Sequence, residues 1–146
     1  MRALIQRVFE AKVVVDGQIT GEIQQGLLVF LGLGKADTLE KGQKLIDKLL
    51  KYRIFDDENG KMGWSVTQAQ GGILLVSQFT LMANTQKGLR PDFSPAMPPA
   101  EAEALYQQLV DYTRLHFPQV QVGVFAADMK VHLVNDGPVT FNLEIE

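Results

Sequence analysis

The stretch ALIQRVFEAKVVVDGQITGEI, residues 3–23, decides the fold class. It is dense in β-branched residues, it sets Val13 and Val15 against Val14, and Asp16-Gly17 stands where a two-residue hairpin would turn. Strands joined by a hairpin are expected at the start of the chain. Next comes GLLVFLGLG (26–34), apolar without alternation, the pattern of a strand buried on both faces. A helix is expected from Asp37 or Thr38, either of which can cap it, to about Tyr52. On it Leu45, Ile46, Leu49 and Leu50 share one side, and Lys41, Lys44, Lys48 and Lys51 the other. The lysine face reads as solvated, with contact to an RNA backbone as the alternative.

Further along, FDDENGKMGW (55–64) is polar and reads as a loop; its acidic cluster lacks the alternate-residue spacing of a calcium loop. GGILLVSQFTLMA (71–83) is the most strand-like run in the chain. NTQKGLRPDFSPAMPPA (84–100) holds four of the six prolines and reads as an irregular loop long enough to suggest function or mobility. A second helix is expected over PAEAEALYQQLVDYTRLH (99–116), with prolines at its start and Ala104, Leu105, Leu109 and Tyr112 on one face. The remainder, residues 119–146, reads as strands, with NDGPVTF (135–141) as a hairpin corner whose Pro138 offers no amide to a sheet. The expectation is a single α+β domain over 1–146: a curved, mixed, largely antiparallel, barrel-like sheet with two packed helices.

Composition narrows the function. The 146 residues are 46% apolar and 21% charged, so a packed fold is expected, and the formal charge of -3 argues against coating long nucleic acid through its phosphates, though not against holding one RNA end. There is no cysteine, which removes disulfide and thiolate chemistry and fits a reducing compartment. No leader or long apolar run is evident, so a cytoplasmic protein without membrane contact is expected. His116 and His132 lie on different elements without metal-ligand spacing, and no metal or other cofactor is expected. LGLGKAD has two glycines after a strand but not the third of a dinucleotide fingerprint.

The polar residues inside an apolar strand are the strongest chemical signal. Strand alternation would put Gln78 and Thr80 on one face of SQFTL and Ser77 and Phe79 on the other. Either that face is wet or it lines a pocket where an amide, a hydroxyl and backbone N–H groups converge on a polar ligand. No base is placed by sequence to activate Thr80. By themselves Arg7 reads as a surface strand charge and Phe125 and Met129 as core.

VSQFTL (76–81), NDGPVTF, LIQRV (4–8), YRIFDDENGKM (52–62) and GVFAADM (123–129) together resemble the D-aminoacyl-tRNA deacylases of the bacterial and eukaryotic type, in family order and across the whole chain. VSQFTL and NDGPVTF show no departure from the family pattern, and in GVFAADM Ala126 stands where the family often has glycine. The resemblance implies a homodimeric editing hydrolase that frees D-amino acids from tRNA. It implies a cis Gly137-Pro138 corner that reaches across the dimer and excludes L-amino acids, braced by Arg7 of the other subunit. It also implies catalysis assisted by the ribose hydroxyl of the tRNA, backbone donors around Phe79 and Thr80, Thr80 as a candidate participant, and a substrate pocket lined by Ser77, Gln78, Phe125 and Met129. Such a wall cannot reject glycine, so activity on glycyl-tRNA is expected. A conventional Ser or Thr esterase and a non-catalytic RNA-end binder are the competing readings.

Overall fold

The computed structural model describes residues Met1–Glu146. Strand β1 (Arg2–Val15) organises the sheet. Along one edge it pairs antiparallel with β8 (Lys130–Glu144) over nearly its whole length. Its other edge is shared: residues 2–8 pair with β3 (Gly26–Gly32) and residues 11–15 with β2 (Gln18–Ile23). The hairpin expected at Asp16-Gly17 is present, and both residues have positive φ, 49° and 78°.

From β3 the sheet continues in parallel, first to β6 (Gly72–Ser77) and then to β7 (Val120–Val122). Parallel neighbours need long crossovers, and the two helices supply them. Helix α1 (Leu39–Lys51) lies between β3 and β6 in the chain, and α2 (Pro99–His116) between β6 and β7. Thr38 caps α1, its hydroxyl accepting from the Lys41 amide, and α2 opens on Pro98 and Pro99. The sheet nearly closes on itself. Gly21 of β2 faces β7 so closely that a Cβ there would lie 2.6 Å from the Val122 carbonyl oxygen.

Two apolar clusters follow from this curvature. The larger joins Ala3, Ile5, Leu27, Val29, Ile73 and Leu75 to the inner faces of both helices, and the smaller packs Val8, Ala11, Val13, Leu28, Leu74 and Val76 on the opposite side. Strands β3 and β6 are buried on both faces, as the unbroken apolar runs require. Strand β1 changes its buried face between Arg7 and Val8: Ala3 and Ile5 serve the first cluster, Val8, Ala11 and Val13 the second.

Two sequence expectations need correction. The FDDENGKMGW loop contains a short ribbon of β4 (Phe55–Asp56) and β5 (Met62–Trp64). Its turn is stabilised by the Asp57 carboxylate, which accepts from the amides of Asn59 and Lys61. The Asp-Gly of NDGPVTF is also not a hairpin. Strand β8 keeps the same partner on both sides of it, with Val8 opposite Asn135 and Gln6 opposite Thr140, so Asp136–Val139 leave the ladder as an excursion opposite Arg7.

Candidate active site

Strand β6 ends at Ser77. Gln78 still donates its amide to the Leu31 carbonyl, but the chain then turns into a 3-10 helix over Phe79–Met82. The two-residue alternation expected for SQFTL therefore stops one residue into it. Because the backbone turns, Ser77, Gln78 and Phe79 all line one cavity of about 630 Å³, together with Phe125 and Met129. Thr80 is not among the lining residues; it is exposed, and its hydroxyl oxygen accepts a 2.6 Å hydrogen bond from the Gln78 side-chain amide.

The cavity wall is mostly apolar. Leu31, Val76, Met97, Pro98 and Ala102 contribute to it, and Phe93 meets Phe79 edge to face at 5.1 Å between ring centroids. Phe125 leans on Tyr106, whose hydroxyl is fixed by donating to the Leu75 carbonyl. Burial raises the Tyr106 pKa to about 12, so this hydroxyl stays a donor. Gly123 leaves space for the Met129 sulfur, which would stand 2.6 Å from a Cβ. Ala126, in the loop between β7 and β8, has φ +62°, which accounts for the glycine expected there. Asp128 also lines the cavity and is paired with Lys130 at 3.0 Å, both side chains well exposed.

Phe93, Met97 and the prolines beside them were not singled out in the sequence. The clue lay in the proline-rich loop, whose Gly34–Ala96 bridge and Leu33–Met97 backbone bond fold it over the end of β3. No group of three or more His, Asp or Glu side chains is placed to hold a metal ion, and the side chain in contact with Thr80 is an amide, which cannot accept its proton.

A second group of candidates lies elsewhere. Arg7, Gly137 and Pro138 do not line the cavity. Arg7 is 8% exposed, against its reading as a surface charge. Its Nε donates to the Asp136 carbonyl at 2.9 Å and lies 3.4 Å from the Asp136 carboxylate; one Nη donates to the Ile54 carbonyl at 2.9 Å and reaches Asp56 at 3.4 Å. A buried guanidinium with these partners is satisfied rather than stranded. Within its own chain it braces the Asp136 corner.

Asn135 closes the base of the excursion. Its side-chain NH₂ donates to the carbonyls of Arg7 (3.1 Å) and Val139 (3.0 Å), and its oxygen accepts from the Val139 amide (3.3 Å). The Gly137–Pro138 peptide is cis, and both residues are exposed. A Cβ on Gly137 would run into the Val139 nitrogen and come 2.9 Å from the Asn135 oxygen, so no side chain fits there without moving the corner.

The family model for D-Tyr-tRNA(Tyr) deacylase matches residues 4–144. A protein of Acinetobacter baumannii (strain ACICU) named D-aminoacyl-tRNA deacylase is 82% identical over 146 residues, covering 100% of this chain and 99% of the relative. One of the same name from Psychrobacter sp. (strain PRwf-1) is 57% identical over 145 residues, with 99% of each chain covered. Among solved structures, the c-Myc DNA Unwinding Element Binding Protein superimposes with a TM-score of 0.96 at 41% identity, covering 100% of this chain and 99% of that one. A probable eukaryotic D-amino acid tRNA deacylase shares the fold at a TM-score of 0.85 and 16% identity, over 97% and 98% of the two chains. With the motifs of the sequence carried on this fold and the match running nearly end to end, the chain belongs to the D-Tyr-tRNA(Tyr) deacylase family.

Proposed function

We propose that this protein hydrolyses the ester between a D-amino acid and the terminal adenosine of tRNA, in the cytoplasm and as a homodimer. The observation that carries the reading is the convergence of Ser77, Gln78, Phe79, Phe125 and Met129 on one apolar cavity beside a hydroxyl that has no base. Such a site binds and orients an ester; it does not generate a strong nucleophile of its own. Phe79 and Gln78 suit an adenine, one by its ring and the other by its amide. The first N–H groups of a helical turn have no partner within that turn, so the amides of Phe79 and Thr80 are suited to receive the developing oxyanion. The ribose hydroxyl beside the ester then supplies the remaining chemistry. Direct attack by Thr80 is excluded if Thr80→Ala retains most of the rate, and that outcome is expected because the Thr80 oxygen already accepts from Gln78.

Chiral selection is assigned to Gly137-Pro138. The corner is exposed and outside the cavity of its own chain, which fits its use in the cavity of a second copy. Strand β8 pairs with β1 alone, and Phe9, Leu133 and Val134 leave apolar surface exposed on these strands, which supports association there. Discrimination of about a thousandfold needs roughly 4 kcal/mol at the transition state, within reach of overlap with rigid backbone. Glycine has no side chain to reject, so glycyl-tRNA is also a substrate.

The test is hydrolysis of matched D-, L- and glycyl-tRNA by the purified protein, alongside its mass in solution. Rapid release of D and glycyl esters by a dimer is expected. Equal release of D and L esters would remove the wall, and no release from any of them would leave a binding module.

A further inference from the structure

Beyond the cavity rim the chain makes a finger that the reaction so far does not use. Asn84 and Asp92 pair across its base, the Asn84 amide donating to the Asp92 carbonyl at 2.7 Å. Gly88, at φ +70°, turns the tip. Every residue from Asn84 to Ser94 is exposed, and Leu89 is exposed completely, at 103% of its reference area. Lys87 and Arg90 flank it and make neither an ion pair nor a hydrogen bond. The one carboxylate at the base, Asp92, is held below the usual range by hydrogen bonds from the Ser94 backbone and hydroxyl, with Lys35 close enough to add to the effect. Its carboxylate is turned to Ser94, and it forms no ion pair with either cation at the tip.

Position gives these cations meaning. The finger ends at Phe93, whose ring packs on Phe79 in the cavity wall. By contrast, no residue of α1 lines the cavity, and two of the α1 lysines are occupied, Lys41 with the Ala36 carbonyl and Lys48 over the Tyr52 ring. In a chain of net charge -3, two free cations beside an aromatic-lined cavity form a local site for a polyanion. Cations that follow a backbone, next to aromatic rings that take bases, are the general arrangement for single-stranded nucleic acid.

We propose that residues 85–91 form a phosphate grip. Lys87 and Arg90 hold the ribose-phosphate backbone of the RNA strand whose terminal nucleoside enters the cavity, and Leu89 lies between them against a preceding nucleotide. The identity of that strand rests on the deacylase reading above. The grip contributes affinity for the RNA and nothing to the chemistry of the ester.

The experiment is fluorescence anisotropy with an uncharged RNA hairpin ending in a single-stranded 3′ tail, titrated at several KCl concentrations. Losing two single-strand phosphate contacts should lower the slope of log affinity against log salt by about 1.4 in the Lys87→Ala/Arg90→Ala variant. The charge-preserving Lys87→Arg/Arg90→Lys variant should keep the parent slope. Leu89→Ser should weaken binding with the slope unchanged. Hydrolysis of a D-aminoacyl-adenosine, which has no upstream phosphate, should be the same in all variants, and their melting temperatures should match because the substituted side chains are exposed. An unchanged slope in the double alanine variant, or an equal loss on the nucleoside ester, overturns the grip. A parent protein that binds the hairpin with the expected slope but hydrolyses no ester would sink the deacylase reading and leave the grip standing.

Discussion

Replacing Asn135 by alanine should loosen the Gly137-Pro138 corner more than it harms the fold. The side chain supplies three hydrogen bonds, at 3.1, 3.0 and 3.3 Å, that tie the two ends of the excursion to each other and to β1. At about 0.5 to 1.5 kcal/mol net for each, with the longest at the lower end, the loss comes to about 1.5 to 3.5 kcal/mol. Part of it falls on a local equilibrium in which residues 136–139 open while β8 stays paired on either side. Denaturant unfolding should therefore show less than the full loss, while hydrogen exchange at the Val139 amide accelerates. If the corner is the chiral wall, the ratio of D- to L-aminoacyl-tRNA hydrolysis should fall at least about tenfold, since 1.4 kcal/mol suffices for that. Asn135→Asp separates the two roles: it keeps an acceptor for the Val139 amide but turns a carboxylate toward the Arg7 and Val139 carbonyls, and it should do no better than alanine. Unchanged Val139 protection with an unchanged D/L ratio in Asn135→Ala would refute the argument that this side chain holds the corner.

Gly137→Ala puts a methyl group into the Val139 nitrogen, so the corner must move; the expected result is faster hydrolysis of L esters at a nearly intact melting temperature, read from paired rate and thermal assays. Ala126→Gly relieves a left-handed backbone worth about 1 to 2 kcal/mol. Against this stand the roughly 0.4 to 1 kcal/mol of freedom gained by the unfolded chain, so thermal unfolding should show a stability equal to or above the parent's. Tyr106 has a folded pKa raised above its ordinary value to about 12, so the folded state retains a proton that the unfolded state has lost. Its contribution is complete below about pH 10 and declines as pH climbs toward 12, and Tyr106→Phe should flatten that alkaline decline in urea melts.

Elements whose signals are local were readable from sequence. The helix start at Asp37 or Thr38, of which Thr38 is the cap, the prolines that open α2, the two-sided apolar run of β3 and the strand character of β6 each depend on residues within one or two turns of each other, and each expectation matched the structure. The SQFTL alternation failed where β6 ran out of partner: Ser77 pairs with Leu31, and β3 ends one residue later, so nothing holds Phe79 in a strand. That failure is what assembles the cavity, because an ideal strand would have pointed Gln78 away from Ser77 and Phe79.

The corner was hidden for a different reason. Asp-Gly is the strongest short hairpin signal, and NDGPVTF satisfies it, but the strand beyond it returns to the same edge of β1 rather than folding back on the strand before. That register is set by Arg7, whose partners are separated from it by 129 residues at Asp136 and 47 at Ile54. One local clue did exist: Arg7 follows Ala3 and Ile5 at two-residue spacing, so alternation already put it on the buried face, where a guanidinium must be surrounded by acceptors. A buried arginine in a strand therefore implies that some other segment has bent away from its ladder to offer carbonyls. In this chain the segment is the Gly-Pro excursion, so the residue that appeared to be a surface charge is the one that explains why a corner stands there at all.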